Sequence, residues 1–319
     1  MKRIGVLSSG GDTPGMNAAI RAVVKVAAEY GIEVFGIRHG YRGLIEGDMR
    51  ELTTDEVRNI AHKGGTILKT ARCKEFMVEE GQRRALLTAQ AFDLEGIIAI
   101  GGDGTMHGAG ALSKMGIPTI TLPGTIDNDL AYTDFSIGFD TAVNGVLTEL
   151  IKVRDTMVSH DRIGIVEVMG NKCGDIALHA GVAGSADFIL LPEMEFDIDE
   201  ICDQLIKNNI RNRKTSMIVL AEGAGKGDKL AGYIREKTKL EVKSVVLGYT
   251  QRGGSPTGKD RILATRLGGQ AVSLLAQGVS NRAVGIHDNK VQNMDIYEAL
   301  DAEKQFDSEL YTLGKIMAR

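Results

Sequence analysis

The sequence predicts an α/β fold of mostly parallel sheets flanked by helices, with two such sheets facing a cleft. Three observations carry this. Residues 96–129, GIIAIGGDGTMHGAGALSKMGIPTITLPGTIDND, read as strand, glycine turn, helix and strand, with polar clusters at the strands' carboxyl ends, where open α/β sheets bind ligands. The same alternation of strand and helix runs along the chain without a fixed repeat period. The 40 glycines, well above the usual ~7%, fall outside low-complexity tracts, as many strand-to-helix turns require. With 319 residues, the chain is long enough for two such sheets.

The elements follow in order. Residues 3–8 (RIGVLS) read as a buried strand that breaks into SSGGDTPGMN, where Pro14 suits a first helical turn because its missing N–H costs nothing there. Ala18, Ala19, Ala22, Val23, Val26 and Ala27 then recur at helical spacing up to Gly31. A strand over 33–37 leads into a loop, HGYRGLIEGD, whose Tyr41 either packs within the loop or covers a flat ring. Residues 64–76 (GGTILKTARCKEF) form a Gly- and Thr-rich loop bearing Arg72 and Cys73, and 79–93 read as helix. The runs 96–100 and 118–122 are strands on either side of a helix that turns Ala109, Leu112 and Met115 to one side.

Residues 139–158 form an amphipathic helix with Val143, Val146, Leu147, Leu150, Ile151 and Val158 on one face and Arg154 outside it. A strand over 163–168 meets MGNKCGD, a third strand–glycine–helix unit. Strands over 186–191 and 216–223 are separated by a charged helix, about 197–212, that ends in Arg211, Arg213 and Lys214, residues favourable at a helix C-terminus. A strand over 243–248 runs into YTQRGGSPTGKDR, another glycine-and-basic loop, before a helix over about 259–277 and a strand over 282–286.

Composition narrows the function. Hydrophobic residues at 43% and charged residues at 25% are ordinary for a globular protein. A net charge of −4 supplies no general attraction to nucleic acid or an anionic membrane, so an anionic ligand must be held by local arginines, N–H groups or metal. Cys73, Cys173 and Cys202 are odd in number and far apart, which points to reduced thiols in a reducing compartment, not to a disulfide frame or a zinc site. The opening MKRIGVLSSGGD carries too short an apolar run for a signal-peptide core, and no stretch approaches the ~18 apolar residues of a spanning helix. Together these features point to the cytoplasm.

The polar clusters carry the chemistry. In Gly101-Gly102-Asp103-Gly104-Thr105 the glycines let backbone N–H groups approach a phosphate, and the helix that follows favours negative charge at its N-terminus. Asp103 and Asp129 add hard oxygens suited to Mg²⁺, which sits between one or two carboxylates and substrate phosphates. Asp127, with no basic neighbour in sequence, is a candidate proton acceptor. Arg72, near two glycine loops, is either a solvated charge or a clamp on a polyphosphate through its planar fork of donors. GGDG alone could be a tight turn and DND an Asx turn. Two such clusters at the ends of neighbouring strands favour a nucleotide-and-metal site.

The segments SSGGDTPGMNAAIRA, GGTILKTAR, AIGGDGT, PGTIDND, GFDTA, EVMG…GDIAL, LAEG and QRGGSPT…DR together resemble the bacterial ATP-dependent 6-phosphofructokinase family, in its order and over nearly the whole chain. The resemblance implies two Rossmann-like domains: 1–138 with 251–301 binding ATP, and 139–250 with 302–319 binding fructose 6-phosphate. It also implies a homotetramer with intersubunit active and effector sites, and transfer of the γ-phosphoryl of MgATP to the sugar's 1-hydroxyl. Gly11, Tyr41, Arg72, Cys73, Gly102, Asp103, Gly104 and Thr105 match the ATP site, with Asp103 at the metal position. Thr125, Ile126, Asp127, Arg162, Met169, Gly170, Asn171, Glu222, Lys243, Tyr249 and Arg252 fall at the sugar-phosphate site, with Asp127 as base beside Thr125 and Arg72. Arg21, Lys25, Arg154, Ser185, Asp187, Arg211, Arg213 and Thr215 fall where the family holds a regulatory nucleotide such as ADP, or phosphoenolpyruvate, between subunits. Gly104 and Gly124 stand where pyrophosphate-dependent relatives typically carry Asp and Lys, and two glycines favour ATP.

Some positions depart from the pattern. Asn171, Lys243 and Tyr249 stand at family arginine, arginine and histidine positions, and Lys25, Thr54 and Asp187 at arginine, arginine and glutamate positions. A lysine keeps the charge but loses the bidentate fork. Two alternatives follow. A nicotinamide-nucleotide or lipid kinase would share GGDGT but not PGTIDND or QRGGSPT. A non-catalytic sugar-phosphate or nucleotide sensor would suit the three substitutions at the sugar-phosphate site but has no use for a base.

Overall fold

A computed structural model describes residues 1–318. In chain order its first half runs β1 (Arg3–Ser8), α1 (Met16–Glu29), β2 (Glu33–Ile37), α2 (Tyr41–Glu46), β3 (Met49–Glu51), α3 (Glu79–Ala91), β4 (Ile97–Gly101), α4 (Asp103–Lys114), β5 (Thr119–Pro123) and α5 (Phe139–Ser159). The rest runs β6 (Ile163–Val168), α6 (Asp175–Ala183), β7 (Phe188–Leu190), α7 (Ile198–Ile210), β8 (Ser216–Ala221), α8 (Gly227–Thr238), β9 (Val242–Val246), α9 (Gly258–Ala276), β10 (Arg282–His287), β11 (Lys290–Asp295), α10 (Ile296–Asp301) and α11 (Ser308–Met317). The fold is mixed α/β, with parallel-rich sheets flanked by helices. No helix among the described residues is long and apolar enough to cross a membrane.

Two units make up the chain: Met1–Ile126, Leu130–Thr141 and Arg252–Lys304 in the first, Asp127–Asp129, Ala142–Gln251 and the stretch from Gln305 in the second. The first holds a seven-stranded sheet of order β11-β10-β5-β4-β1-β2-β3, parallel except at its edges β3 and β11. Strand β1 lies between β2 and β4, so the order reverses there and a crevice opens at the carboxyl ends of β1 and β4. The second unit holds an all-parallel sheet of order β7-β8-β6-β9, whose reversal lies between β8 and β6.

Strand β4 is apolar along its whole length because both faces of the sheet are covered. Ile98 and Ile100 join the core beneath α1 and α9, whereas Ile97 and Ala99 join the core beneath α3 and α4. Helices α1 and α9 approach closely on small residues: a Cβ on Gly268 would come within 2.8 Å of Ala19 O. In the second unit Ile163, Ile165, Ile218 and Leu220 pack under Ile201, Leu205, Leu230 and Ile234.

Several local expectations need correction. The stretch around Tyr41 is a helix, not a loop, and α1 begins after Gly15, whose φ of 104° leaves Pro14 outside the helix. Helix α7 stops at Ile210 with Arg211 as its cap, so Arg213 and Lys214 lie beyond its last turn. On α5, Val146 and Leu150 are buried but Ile151 and Val158 are 60% and 56% exposed, so the apolar stripe is wider than the surface this unit covers.

Candidate active site

Strands β1 and β4 each end in a glycine loop at the first crevice. At the end of β1, Ser8 is fully buried; its hydroxyl pairs with Thr66 Oγ1 at 2.8 Å and donates to Lys69 O at 3.1 Å. Asn17, at the start of α1, donates to Lys63 O and Gly64 O and accepts from Ile67 N. These bonds draw the 63–70 loop onto the loop after β1, where Thr70 Oγ1 donates to Gly10 O at 2.7 Å. Arg252 Nη1 donates to Asp12 O at 3.2 Å, and a Cβ on Gly11 would fall 2.2 Å from that nitrogen. The glycine thus lets a guanidinium lie on the loop. Gly11, Thr70 and Arg252 are together, with Arg72 exposed two residues further on.

The second loop opens α4. Gly102 is its N-cap, and Asp103 follows with its carboxylate 61% exposed, 3.6 Å from His107 Nε2 one turn on. Gly104 faces open space. Thr105 turns inward and is 3% exposed. A Cβ on Gly101 would lie 2.2 Å from Thr105 Oγ1 and one on Gly10 3.5 Å from it, so this hydroxyl stands between the two glycine loops. Among the described residues it has no hydrogen-bond partner. A buried hydroxyl in that place is a donor waiting for a ligand oxygen.

Tyr41 is 4% exposed, with its ring stacked on Phe76 at a centroid distance of 4.1 Å and its hydroxyl donating to Thr105 O at 2.6 Å. Burial raises its phenol far above the ordinary value, keeping it a donor. It therefore supports Thr105 from behind and does not cover a flat ring. Cys73 is partly buried against the same apolar cluster. Thr125 lies beside Gly102, whose Cβ would sit 3.6 Å from the threonine's Cβ, and Ser136 Oγ fixes Thr125 O at 2.6 Å. Ile126 is fully buried, so only its backbone can serve a ligand. Gly124 packs against Ile100, Gly101 N and Met16, so its identity is already explained by packing, whereas Gly104 borders open space.

No group of three or more His, Cys, Asp or Glu side chains among the described residues could cage a metal. Asp103, a hard carboxylate at an exposed helix N-terminus beside a glycine loop, fits Mg²⁺ whose remaining ligands are nucleotide phosphates.

The second unit presents its residues at two opposite ends of its sheet. Asn128, buried with φ of 54°, donates to Asp175 Oδ2 at 2.8 Å and anchors the loop on which Asp127 and Asp129 are partly exposed. At the carboxyl ends of β6 and β8, Asn171 N donates to Glu222 Oε1 at 3.0 Å, and Met169 N donates to Gln251 Oε1 at 3.1 Å. Gly170 takes φ of 139°, and a Cβ there would lie 2.3 Å from Cys173 O. Met169, Gly170, Asn171 and Glu222 are thus brought together, with Tyr249 83% exposed after β9. Arg162 and Lys243 are not with them. They lie at the amino ends of β6 and β9, about 20 Å away at ~3.3 Å per residue, where Arg162 Nε meets Glu241 Oε2 at 2.6 Å.

The effector candidates are also divided. On the second unit Arg154 donates to Gly184 O and Ser185 O, and Asp187 Oδ2 accepts from Met217 N at 2.7 Å. Burial raises the Asp187 carboxyl, while the Met217 N–H and the charges of Arg154 and Arg213 act the other way. Thr215 Oγ1 reaches Met157 O, and Arg211 is exposed nearby in sequence. Arg21 and Lys25 belong to α1 of the first unit. Sequence reasoning missed Thr70, Gln251 and Asp260 as structural partners, although all three lie within segments it singled out.

A family model described as Phosphofructokinase matches residues 3–275. A Clostridium botulinum protein named ATP-dependent 6-phosphofructokinase is 53% identical over 319 residues, covering all of both chains. One of the same name from Alkaliphilus metalliredigens is 53% identical over 318 residues, again covering all of both. The solved structure of phosphofructokinase from Saccharomyces cerevisiae is similar with a TM-score of 0.86 and 32% identity; the match covers 100% of this chain and 48% of the yeast chain.

Proposed function

The chain belongs to the phosphofructokinase family, and from that membership we infer that it is a glycolytic ATP-dependent kinase of fructose 6-phosphate. It transfers the γ-phosphoryl of ATP to the sugar's 1-hydroxyl, giving fructose 1,6-bisphosphate and ADP. The observation that carries nucleotide binding is the buried Thr105 hydroxyl, standing without a partner among the described residues between two glycine loops. Phosphoryl transfer asks chiefly for positioning and charge neutralisation, which such a cradle supplies.

In this reading the first unit binds ATP. The N–H groups at the start of α4 and the Thr105 hydroxyl meet the phosphates, and Arg72 offers its guanidinium to the transferred group. Asp103 would hold Mg²⁺, which offsets charge on the phosphate oxygens when bound. The second unit binds the sugar phosphate through Met169, Gly170 and Glu222, and Asp127 accepts the proton of the 1-hydroxyl. Thr125, two residues before Asp127, adds a hydroxyl donor.

Arg162 and Lys243 grip the 6-phosphate from a second copy of the chain, a reading supported by their place at the far end of the sheet from Met169 and Glu222. The arginines around Asp187 form the second unit's part of a site for ADP or phosphoenolpyruvate, completed by Arg21 and Lys25 of another copy. A coupled assay of ADP release tests the reading. Turnover is expected with MgATP and fructose 6-phosphate; turnover with NAD in place of the sugar phosphate, or binding of both ligands without ADP, would contradict it.

A further inference from the structure

Two segments singled out in the sequence, GFDTA and SPT…DR, have no ligand role in this reading, yet the structure packs them against each other. The Asp260 carboxylate, 1% exposed, accepts from Gly138 N at 3.0 Å, from Thr141 N at 2.8 Å and from Thr141 Oγ1 at 2.5 Å. In return Thr257 Oγ1 donates to Asp140 Oδ2 at 2.7 Å and Thr257 N to Thr141 Oγ1 at 3.0 Å. Thr257 and Gly138 immediately precede α9 and α5, so the two helix starts are bolted together. A helix start alone does not require a buried carboxylate. Asp197 and Asp307 cap α7 and α11 from exposed positions. Burying a charge is costly unless hydrogen bonds satisfy it, and here three donors serve the Asp260 carboxylate.

The clamp touches the site from two directions. Ser136 Oγ and Ile137 N, just before Gly138, hold Thr125 O at 2.6 Å and Pro123 O at 2.8 Å. Arg252, lying on Gly11, leads directly into Thr257 and α9. A third strand of chain locks the joint: Thr13 Oγ1 donates to Ile137 O at 3.1 Å, and a Cβ on Gly138 would fall 1.5 Å from it, so φ of 104° and the space both demand glycine. We propose that Asp260 is a positioning residue that fixes Thr125 and Arg252 relative to each other through Gly138, Thr141 and Thr257. This rests on the reading of Thr125 and Arg252 as sugar-phosphate residues.

The test is Asp260→Asn, which sets an amide nitrogen against N–H groups that a carboxylate accepts. A folded variant, judged by circular dichroism and a cooperative melt, should lose at least about tenfold in kcat/KM for fructose 6-phosphate, since small misplacements cost orders of magnitude. Its ATP affinity, titrated without the sugar, should stay within about threefold, because residues 102–105 are held by β4 and α4 and the loop at Gly11 by the Thr70 hydroxyl on Gly10 O. If Asp260→Asn does not fold, Thr141→Ser and Thr141→Val replace it. The serine should stay within about twofold of wild type and the valine lose about fivefold or more in the same parameter. Unchanged sugar-phosphate kinetics in folded Asp260→Asn, equal behaviour of serine and valine, or a parallel loss of ATP affinity would overturn the proposal. Wild-type protein that turns over no fructose 6-phosphate would instead overturn the functional reading, and the inference with it.

Discussion

Replacing Thr105 with valine should separate stability from nucleotide binding. The side chain is 3% exposed and its hydroxyl has no partner among the described residues, so the ligand-free protein bears the desolvation of an unsatisfied donor, about 1–3 kcal/mol. Valine keeps the branched shape and removes that burden. The melting temperature without ligand should therefore not fall, and should rise by up to a few degrees. With ATP bound, the lost bond is one to a charged phosphate oxygen, about 1.5–3 kcal/mol, or roughly 10- to 150-fold in Kd. Thermal melts with and without ATP, alongside calorimetric titration, measure both arms. A valine variant that keeps wild-type ATP affinity, or that melts lower without ligand, would refute the assignment of the hydroxyl to the nucleotide.

Asp127→Asn should lower kcat by about 10²- to 10⁴-fold in steady-state assays and leave ATP affinity unchanged; near-wild-type kcat would remove Asp127 from the role of base. Lys243→Arg restores a bidentate fork and should lower KM for fructose 6-phosphate several-fold, by about 1 kcal/mol of binding, with KM for ATP unmoved. No change would mean that the ammonium already serves the phosphate fully. The Asp134 carboxylate, hydrogen-bonded to His287 Nδ1 at 2.8 Å, raises the imidazole above its ordinary 6.5, with smaller support from Asp288. A raised histidine stabilises the fold fully below about pH 6.5 and loses that contribution as pH rises through its folded value. Melting temperatures of wild type and His287→Gln should thus differ most in acid and converge in base, by little overall because the ring is exposed. A gap that widens with pH would reverse the sign.

The parallel strands were legible because a strand covered on both faces is a short apolar run with a glycine loop at its end, as in 96–102. The two glycine loops around Thr105 were legible for the same reason. Short or edge elements were not: α2 and β3 span six and three residues, too few to show a period, and antiparallel β11 alternates only weakly in exposure. The apolar period of α5 marked a face but could not say that Ile151 and Val158 stay exposed. Tyr41 read as a possible ring cover because nothing local foretells that Phe76 stacks on it from another segment. Arg162 and Met169 are close in sequence, but the strand read over 163–168 already set them at its opposite ends, as β6 does. The Asp260 clamp joins residues more than a hundred positions apart, a contact that no window of sequence contains.

The central claim is that the γ-phosphoryl passes from ATP to the 1-hydroxyl of fructose 6-phosphate. Phosphorus NMR of the reaction with MgATP follows it directly. The account predicts loss of the γ resonance, matched by ADP and by one new phosphomonoester, coupled to the protons at carbon 1 of the sugar. Appearance of inorganic phosphate in place of that ester, or a new ester at any other carbon, would contradict it.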